Sequence, residues 1–107
     1  MLLTLHIDDK TQTLDIPETI LSEGEEFFRM MDQDMDKGWQ MSREWVEKPD
    51  ARQRCQIAAD KILNAINTEN ETLLMLMAGY ILARAPKTTA VHINTEGEML
   101  ETELVEG

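Results

Sequence analysis

The sequence predicts one α+β domain in which three or four helices pack on an antiparallel sheet formed by the two ends of the chain. Three observations support this prediction. Both ends alternate apolar and polar residues, the middle carries apolar residues at helical spacing, and capping residues and prolines punctuate that middle. The 107 residues suit a single domain, 1–107, because neither a repeat nor a Gly/Ser-rich linker divides them.

The first strand pair is predicted near the start of the chain. Leu3, Leu5 and Ile7 alternate with more polar neighbours, and Leu14 and Ile16 lie on one face of the next run. An Asp-Asp-Lys sequence between the two runs suits a hairpin turn. We therefore expect an N-terminal β-hairpin.

A second strand pair is predicted at the other end of the chain. Residues 90–94 and 99–105 flank Gly97, which could adopt the positive φ that a tight turn requires. An isolated hairpin is only marginally stable in water, so we expect the two terminal hairpins to share one antiparallel sheet.

Capping patterns divide the middle of the chain into helices. Asp15 with Glu18, and Ser22 with Glu25, fit capping boxes near Pro17. Further along, Asp50 and Gln53 are predicted to cap a helix that runs to about residue 67. Thr68 and Glu71 are predicted to cap the next helix, which ends before Pro86. This last helix is apolar nearly all round, which is typical of a central helix.

Residues 20–47 are predicted to be one helix or two nearly collinear helices. The apolar phase passes through Ile20, Gly24, Phe27, Met31 and Met35. It continues without a slip through Gly38, Ser42 and Trp45. The sequence leaves open whether the helix is continuous or broken near Gly38.

Three alternating aspartates, Asp32, Asp34 and Asp36, resemble the start of an EF-hand loop. That loop requires glycine at its sixth position and glutamate at its twelfth, but here Lys37 and Arg43 occupy them. We therefore expect no metal site and interpret the aspartates as a solvated helix face. A protein that responds to divalent cations through Asp32, Asp34 and Asp36 is the first alternative hypothesis.

The charge balance limits the classes of partner. With 21 acidic against 10 basic residues, the net charge is −11, which repels nucleic acid and anionic lipid surfaces. The longest apolar run, residues 73–83, is too short to span a membrane. A basic protein partner is compatible with this charge. The single Cys55 and a start without signal-peptide character predict a cytoplasmic protein.

Few residues suggest catalysis, and we expect no cofactor. His6 and His92 lie on polar sides of their strands and could meet on neighbouring strands, but two imidazoles alone do not form a zinc site. Cys55 lies in an apolar helix stripe and is expected to belong to the core. No P-loop, dinucleotide turn, HExxH or CxxC motif is present. A small enzyme built from carboxylates and His6 or His92 remains a second alternative.

The methionines and tryptophans of the middle segment give the preferred functional hypothesis. Met31, Met35 and Trp45 are expected in the core, whereas Trp39, Met30 and Met41 are expected to form an exposed contact patch. The sequence thus favours a small, acidic accessory protein that acts by protein–protein contact without catalysis. Self-association through the same patch would make it a homo-oligomer.

Overall fold

The computed structural model describes all residues, 1–107, and confirms the α+β class with four helices and six strands. The elements, in chain order, are β1 (Leu2–Ile7), β2 (Lys10–Asp15), α1 (Glu18–Glu23), α2 (Glu25–Asp36), β3 (Trp39–Met41), β4 (Glu44–Val46), α3 (Ala51–Asn67), α4 (Glu71–Arg84), β5 (Thr88–Ile93) and β6 (Glu103–Glu106). No helix has both the length and the apolar character that crossing a bilayer requires.

The strands from the two ends of the chain form one four-stranded sheet, as predicted. Its order is β2-β1-β5-β6, and each terminal pair is antiparallel. The central pair, β1 with β5, is parallel, so the sheet is mostly rather than wholly antiparallel. Short connections force antiparallel pairing only within each terminal pair. The helical middle of the chain acts as a long crossover, which allows β5 to run alongside β1.

The connection between β5 and β6 is longer than a simple hairpin turn. The side-chain oxygen of Asn94 accepts hydrogen bonds from the backbone N–H groups of Glu96 and Glu98. Gly97 adopts the positive φ expected of it, at +84°. Residues Met99–Glu101 then form a 3₁₀ turn instead of a strand. The last strand consequently begins at Glu103 rather than at residue 99.

The predicted caps are partly correct. Asp50 and Gln53 form the expected capping box, with the Gln53 N–H donating to Asp50 Oδ1 at 2.8 Å. The predicted Thr68 cap of α4 is wrong, because Asn70 Oδ1 accepts from the Leu73 N–H. The Thr68 hydroxyl instead donates back to the Asn64 carbonyl at the end of α3.

The two capping boxes predicted before α1 and α2 are wrong. Pro17 is the N-cap of α1 and Gly24 that of α2, and neither supplies a side-chain hydrogen bond. The Ser22 hydroxyl instead donates to backbone carbonyls of its own helix. The break between the helices therefore falls at Gly24, where a Cβ would come 2.9 Å from the Phe28 ring.

The single hydrophobic core lies between the sheet and the helices. Leu3, Leu5 and Val91 are fully buried on the inner side of the sheet, and Cys55 is buried in α3, as expected. Both α1 and α2 pack on α4 around Gly79, where an added Cβ would come 2.9 Å from Ile20. Because Gly79 lacks a side chain, the helices can approach closely there.

The predicted continuation of the helix to residue 47 is wrong. The second helix ends at Asp36, Gly38 adopts φ +99°, and residues 39–46 form a two-stranded hairpin, β3 with β4. The downstream apolar phase rested on Gly38, Ser42 and Trp45, of which only the tryptophan is a large apolar residue. Glycine in a left-handed conformation ends helices, and the hairpin then reverses at Ser42, which also has positive φ, +58°.

Candidate contact surface

Most of the large apolar side chains that remain exposed fall into two groups. One group consists of Phe27 and Met30 on α2 and Trp45 on β4, which are 41%, 60% and 59% exposed. The other group belongs to the sheet. Phe27 and Met30 are three residues apart on one helix and therefore lie side by side. We refer to Phe27, Met30 and Trp45, together with the half-buried Trp39, as the α2–hairpin surface.

Trp45 lies on the outer face of the small hairpin. It pairs with Gln40 across β3 and β4, and its ring covers Gly38, where an added Cβ would overlap it. The expectation that Trp45 belongs to the core is wrong, because strand alternation reverses the side that helical spacing assigns to it. Gly38 lies two residues beyond the end of α2 at Asp36, so the ring of Trp45 lies close to the C-terminal end of that helix.

Trp39 lies on the opposite, inner face of the hairpin and is half-buried. The Lys61 ammonium is 5.1 Å from the centroid of its ring, which is a cation–π distance. Asp34, Met31 and Met35 surround the same small cavity. Trp39 is thus anchored between α2 and α3, and only part of its ring is available to a partner.

The predicted contact patch of Trp39, Met30 and Met41 is only partly supported by the side-chain positions. Met30 is exposed and Trp39 is half-buried, but Met41 is fully buried, so its assignment to the patch is wrong. Met41 points into the core because it alternates with the exposed Gln40 on a strand. Met31 and Met35 belong to the core, as expected.

The sequence predicts Phe27 on the buried stripe, but the structure has Phe28 there, packed edge-on against Tyr80 with the ring centroids 5.8 Å apart. Phe27 and Phe28 are four and three residues before the buried Met31, so helical spacing allows either of them on the stripe. On a helix that packs on one side only, two large side chains about 100° apart do not both fit a narrow buried stripe. This adjacency was the signal that one of them is exposed, although it does not indicate which.

Asp32 is not part of a solvated face, which corrects the interpretation from the sequence. Its Oδ1 accepts from the Tyr80 hydroxyl at 2.5 Å, and its Oδ2 accepts from Arg84 Nε at 2.9 Å. Arg54 lies 3.4 Å from Oδ1 and also binds Asp36 at 2.6 Å. The sequence could not identify these partners, because they lie 22 to 52 residues away along the chain.

The three aspartates therefore do not converge on a cation site. Arginine side chains bind Asp32 and Asp36, while Asp34 lies beside Trp39 on the other flank of α2. Nowhere in the chain do three His, Cys, Asp or Glu side chains group as metal ligands would. The geometry gives no support to the cation-responsive alternative.

In this network the pKa values of Asp32 and Glu25 lie below their ordinary values, and those of Arg54 and Arg84 lie above theirs. Desolvation raises the pKa of Asp32, but hydrogen bonds from Tyr80 and Arg84 outweigh it and hold the pKa below its ordinary value. The hydrogen bonds from Arg84 likewise lower the pKa of Glu25. Glu25, Arg84, Asp32, Arg54 and Asp36 form one chain of ion pairs that ties α2 to α3 and α4.

His6 and His92 are brought together, as the strand pattern predicted they could be. They are partners across β1 and β5, and their rings stack 4.3 Å apart at an interplanar angle of 8°. The Thr11 hydroxyl lies 3.2 Å from His6 Nδ1. An open polar depression of about 430 Å³ surrounds the pair, with Asp8, Glu96, Glu101 and Glu103 among its lining residues.

Cys55 lacks the features of a nucleophile. Desolvation, with a smaller contribution from the negative charge of Asp32, raises the pKa of its buried thiol to about 12. A reactive cysteine needs a lowered pKa and access to solvent, and Cys55 has neither.

Comparisons with family models, with curated proteins and with solved structures found no match for this chain.

Proposed function

We propose that the protein is a non-catalytic, cytoplasmic accessory protein that binds another protein through the α2–hairpin surface. The observation that carries this proposal is the combined exposure of Phe27, Met30 and Trp45, in a chain that buries 22 other apolar side chains in one core. Tryptophan and methionine are enriched where proteins contact partners, since they offer large, adaptable apolar area.

The net charge of the chain favours a basic partner. The rim of the surface is itself mixed, because exposed acids on α2 and the hairpin alternate with exposed bases: Glu26, Asp34, Glu44 and Glu47 with Arg29, Lys37, Arg43 and Lys48. The net charge of −11 nevertheless surrounds the apolar centre with the acidic field of the whole molecule. A partner that presents an apolar groove edged with lysine or arginine would complement both features and would be steered to the surface at low salt.

We expect Trp45 to contribute the largest share of the binding energy. Its ring already rests on Gly38, so little rotamer freedom remains to be lost when a partner covers it. Trp39 plays a supporting role, because Lys61 and the neighbouring methionines fix its position. Met30 adds flexible apolar area that can adjust to the partner's shape.

The experiment is affinity capture from the source cell's lysate with the wild type and with Met30→Ala, Trp45→Ala and Asn64→Ala variants. Asn64 is exposed on α3 and does not belong to the proposed surface, so it serves as the matched control. Circular dichroism first verifies that each variant is folded. The proposal predicts one stoichiometric partner that is retained by Asn64→Ala and lost by Trp45→Ala. Equal captures from all four proteins would contradict it.

A further inference from the structure

The second group of exposed apolar side chains lies on the face of the sheet that no helix covers. Leu2 is 63% exposed and Val105 37% exposed. They belong to strands whose alternate residues, such as Leu3, Leu5 and Val91, fill the core. Because side chains alternate along a strand, the residues between these core positions all project from the opposite face, which we refer to as the open sheet face.

The registers of the four strands define two rows across this face. In one row, Thr11, His6, His92 and Glu103 are successive partners from β2 to β6. In the other row, the successive partners are Thr13, Thr4, Ala90 and Val105. The second row contains no ionisable group, and the first contains a single carboxylate.

This composition contrasts with the rest of the molecule. A chain with 21 acidic and 10 basic residues has no lysine, no arginine and only one acidic side chain in these two central rows. Most acids of the face lie at one end, where Asp8, Glu96 and Glu101 join Glu103 around the histidine pair. The other end carries Asp15, the partner of Leu2, whose carboxylate lies 3.4 Å from the N-terminal ammonium group of Met1. The middle of the open sheet face is therefore neutral and partly apolar.

We propose that the open sheet face is a homodimer interface, in which the sheet of one copy packs face to face on the sheet of a second copy. Two chains of net charge −11 repel each other, and the repulsion is smallest where the surfaces that meet are uncharged. A basic partner would gain little from this face, since its charges would find few acids there. The neutral rows thus favour a copy of the same acidic chain over an oppositely charged protein.

The position of the acidic loops defines the arrangement of the two copies. A twofold axis that runs across the strands places the acidic end of one sheet over the opposite end of the other, near Leu2. An axis along the strands would instead bring both acidic ends together and add like-charge repulsion. The first arrangement is isologous and closed, so it ends at a dimer.

The size of the face predicts a weak dimer. Four strands about 4.8 Å apart and about 3.3 Å long per residue give roughly 20 Å by 20 Å, a small interface compared with stable dimers. We therefore expect a dissociation constant of about 1 µM or weaker. Monomers exchange readily at that affinity, and the monomer tolerates the exposure of Leu2.

Sedimentation equilibrium from low micromolar to near-millimolar concentration tests the dimer. The proposal predicts a mass that rises towards twice 12.3 kDa, and an association that strengthens with added salt as the repulsion between like charges is screened. Leu2→Glu and Val105→Glu add a carboxylate at exposed sites and should weaken association at least tenfold. Asn64→Glu adds the same charge on α3 and should change it little.

Three outcomes would overturn the proposal. The first is a mass that stays at 12.3 kDa at every concentration and salt. The second is a dimer that Leu2→Glu and Val105→Glu weaken no more than Asn64→Glu does, with folding of each variant verified by circular dichroism. The third is a dimer that Trp45→Ala abolishes, because this would assign self-association to the α2–hairpin surface instead.

Discussion

The Tyr80 hydroxyl on α4 donates to Asp32 Oδ1 on α2 at 2.5 Å, while Arg84 on the same helix binds the other carboxylate oxygen. One aspartate thus receives donors from two successive turns of α4. This contact holds α2 against the body of the domain and fixes the flank that carries Phe27 and Met30. The geometry of the proposed binding surface therefore depends on an ion pair on the opposite side of the helix.

Asp32→Asn should destabilise the protein substantially. The change removes the negative charge with which Arg54 and Arg84 form ion pairs, at a side chain that is only 24% exposed. We expect a loss of about 2 kcal/mol in the free energy of unfolding, and a fall of roughly 10 °C in Tm, measured by thermal unfolding. The matched change Asp36→Asn affects an exposed carboxylate and should cost less than about 0.5 kcal/mol. Equal effects of the two variants would contradict this role of Asp32.

The same network predicts a loss of stability in acid. Desolvation raises the pKa of Asp32, but the hydrogen bonds that it accepts lower the pKa by more. The pKa in the folded protein therefore lies below that in the unfolded chain. The stabilisation is then complete above the unfolded pKa of about 4 and is lost as the pH falls through the folded pKa. Glu25 shifts in the same direction. Tm followed from neutral pH into acid should fall less steeply for Asp32→Asn than for the wild type, and parallel curves would argue against this linkage.

Gly38 should be far less tolerant of substitution than Gly97. Both have positive φ, but a Cβ at Gly38 would overlap the Trp45 ring, whereas nothing lies within 4 Å of one at Gly97. Gly97→Ala should cost about 1 kcal/mol from backbone strain alone. Gly38→Ala should cost about 3 kcal/mol, because displacement of the ring adds to the strain. Denaturant unfolding of the two variants measures the difference, and similar midpoints would contradict the close packing of Trp45 on Gly38.

Cys55 should resist thiol reagents in the folded protein. With a pKa of about 12, roughly one thiol in ten thousand is ionised at pH 8, and burial excludes the reagent. An aromatic disulfide reagent should therefore react only as fast as the protein unfolds, and quickly in denaturant. Rapid native reaction would indicate an accessible thiolate, contrary to the buried position in α3.

The sequence predicted the fold class well because both ends of the chain have clear strand alternation and the caps at Asp50 and Gln53 are local. The prediction from the sequence failed for residues 37–47, because the few apolar residues there fit both the spacing of a helix and the spacing of a strand. Only the left-handed conformation of Gly38 distinguishes the two patterns, and the φ of a glycine cannot be deduced from the sequence. Two assignments were wrong as a result: Met41 is buried in the core, and Trp45 is exposed on the surface.

The Asp32 network could not be predicted for a different reason. Its partners Arg54, Tyr80 and Arg84 come from helices that are distant along the chain. Local patterns indicate which side of a helix is polar, but they do not indicate which polar side chains another helix will bring to it. The stacked histidines were more predictable, because each lies in a strand with a recognisable alternation.

The most direct test of the central claim is the dissociation constant of the captured partner, purified and titrated against wild-type, Met30→Ala, Trp45→Ala and Asn64→Ala proteins at low and moderate salt. If Trp45 is the main anchor, its loss should weaken binding by about thirtyfold or more, and that of Met30 by a smaller factor. Added salt should weaken binding of a basic partner, the reverse of its effect on the homodimer. Dissociation constants that are equal for Trp45→Ala and Asn64→Ala would contradict binding through the α2–hairpin surface.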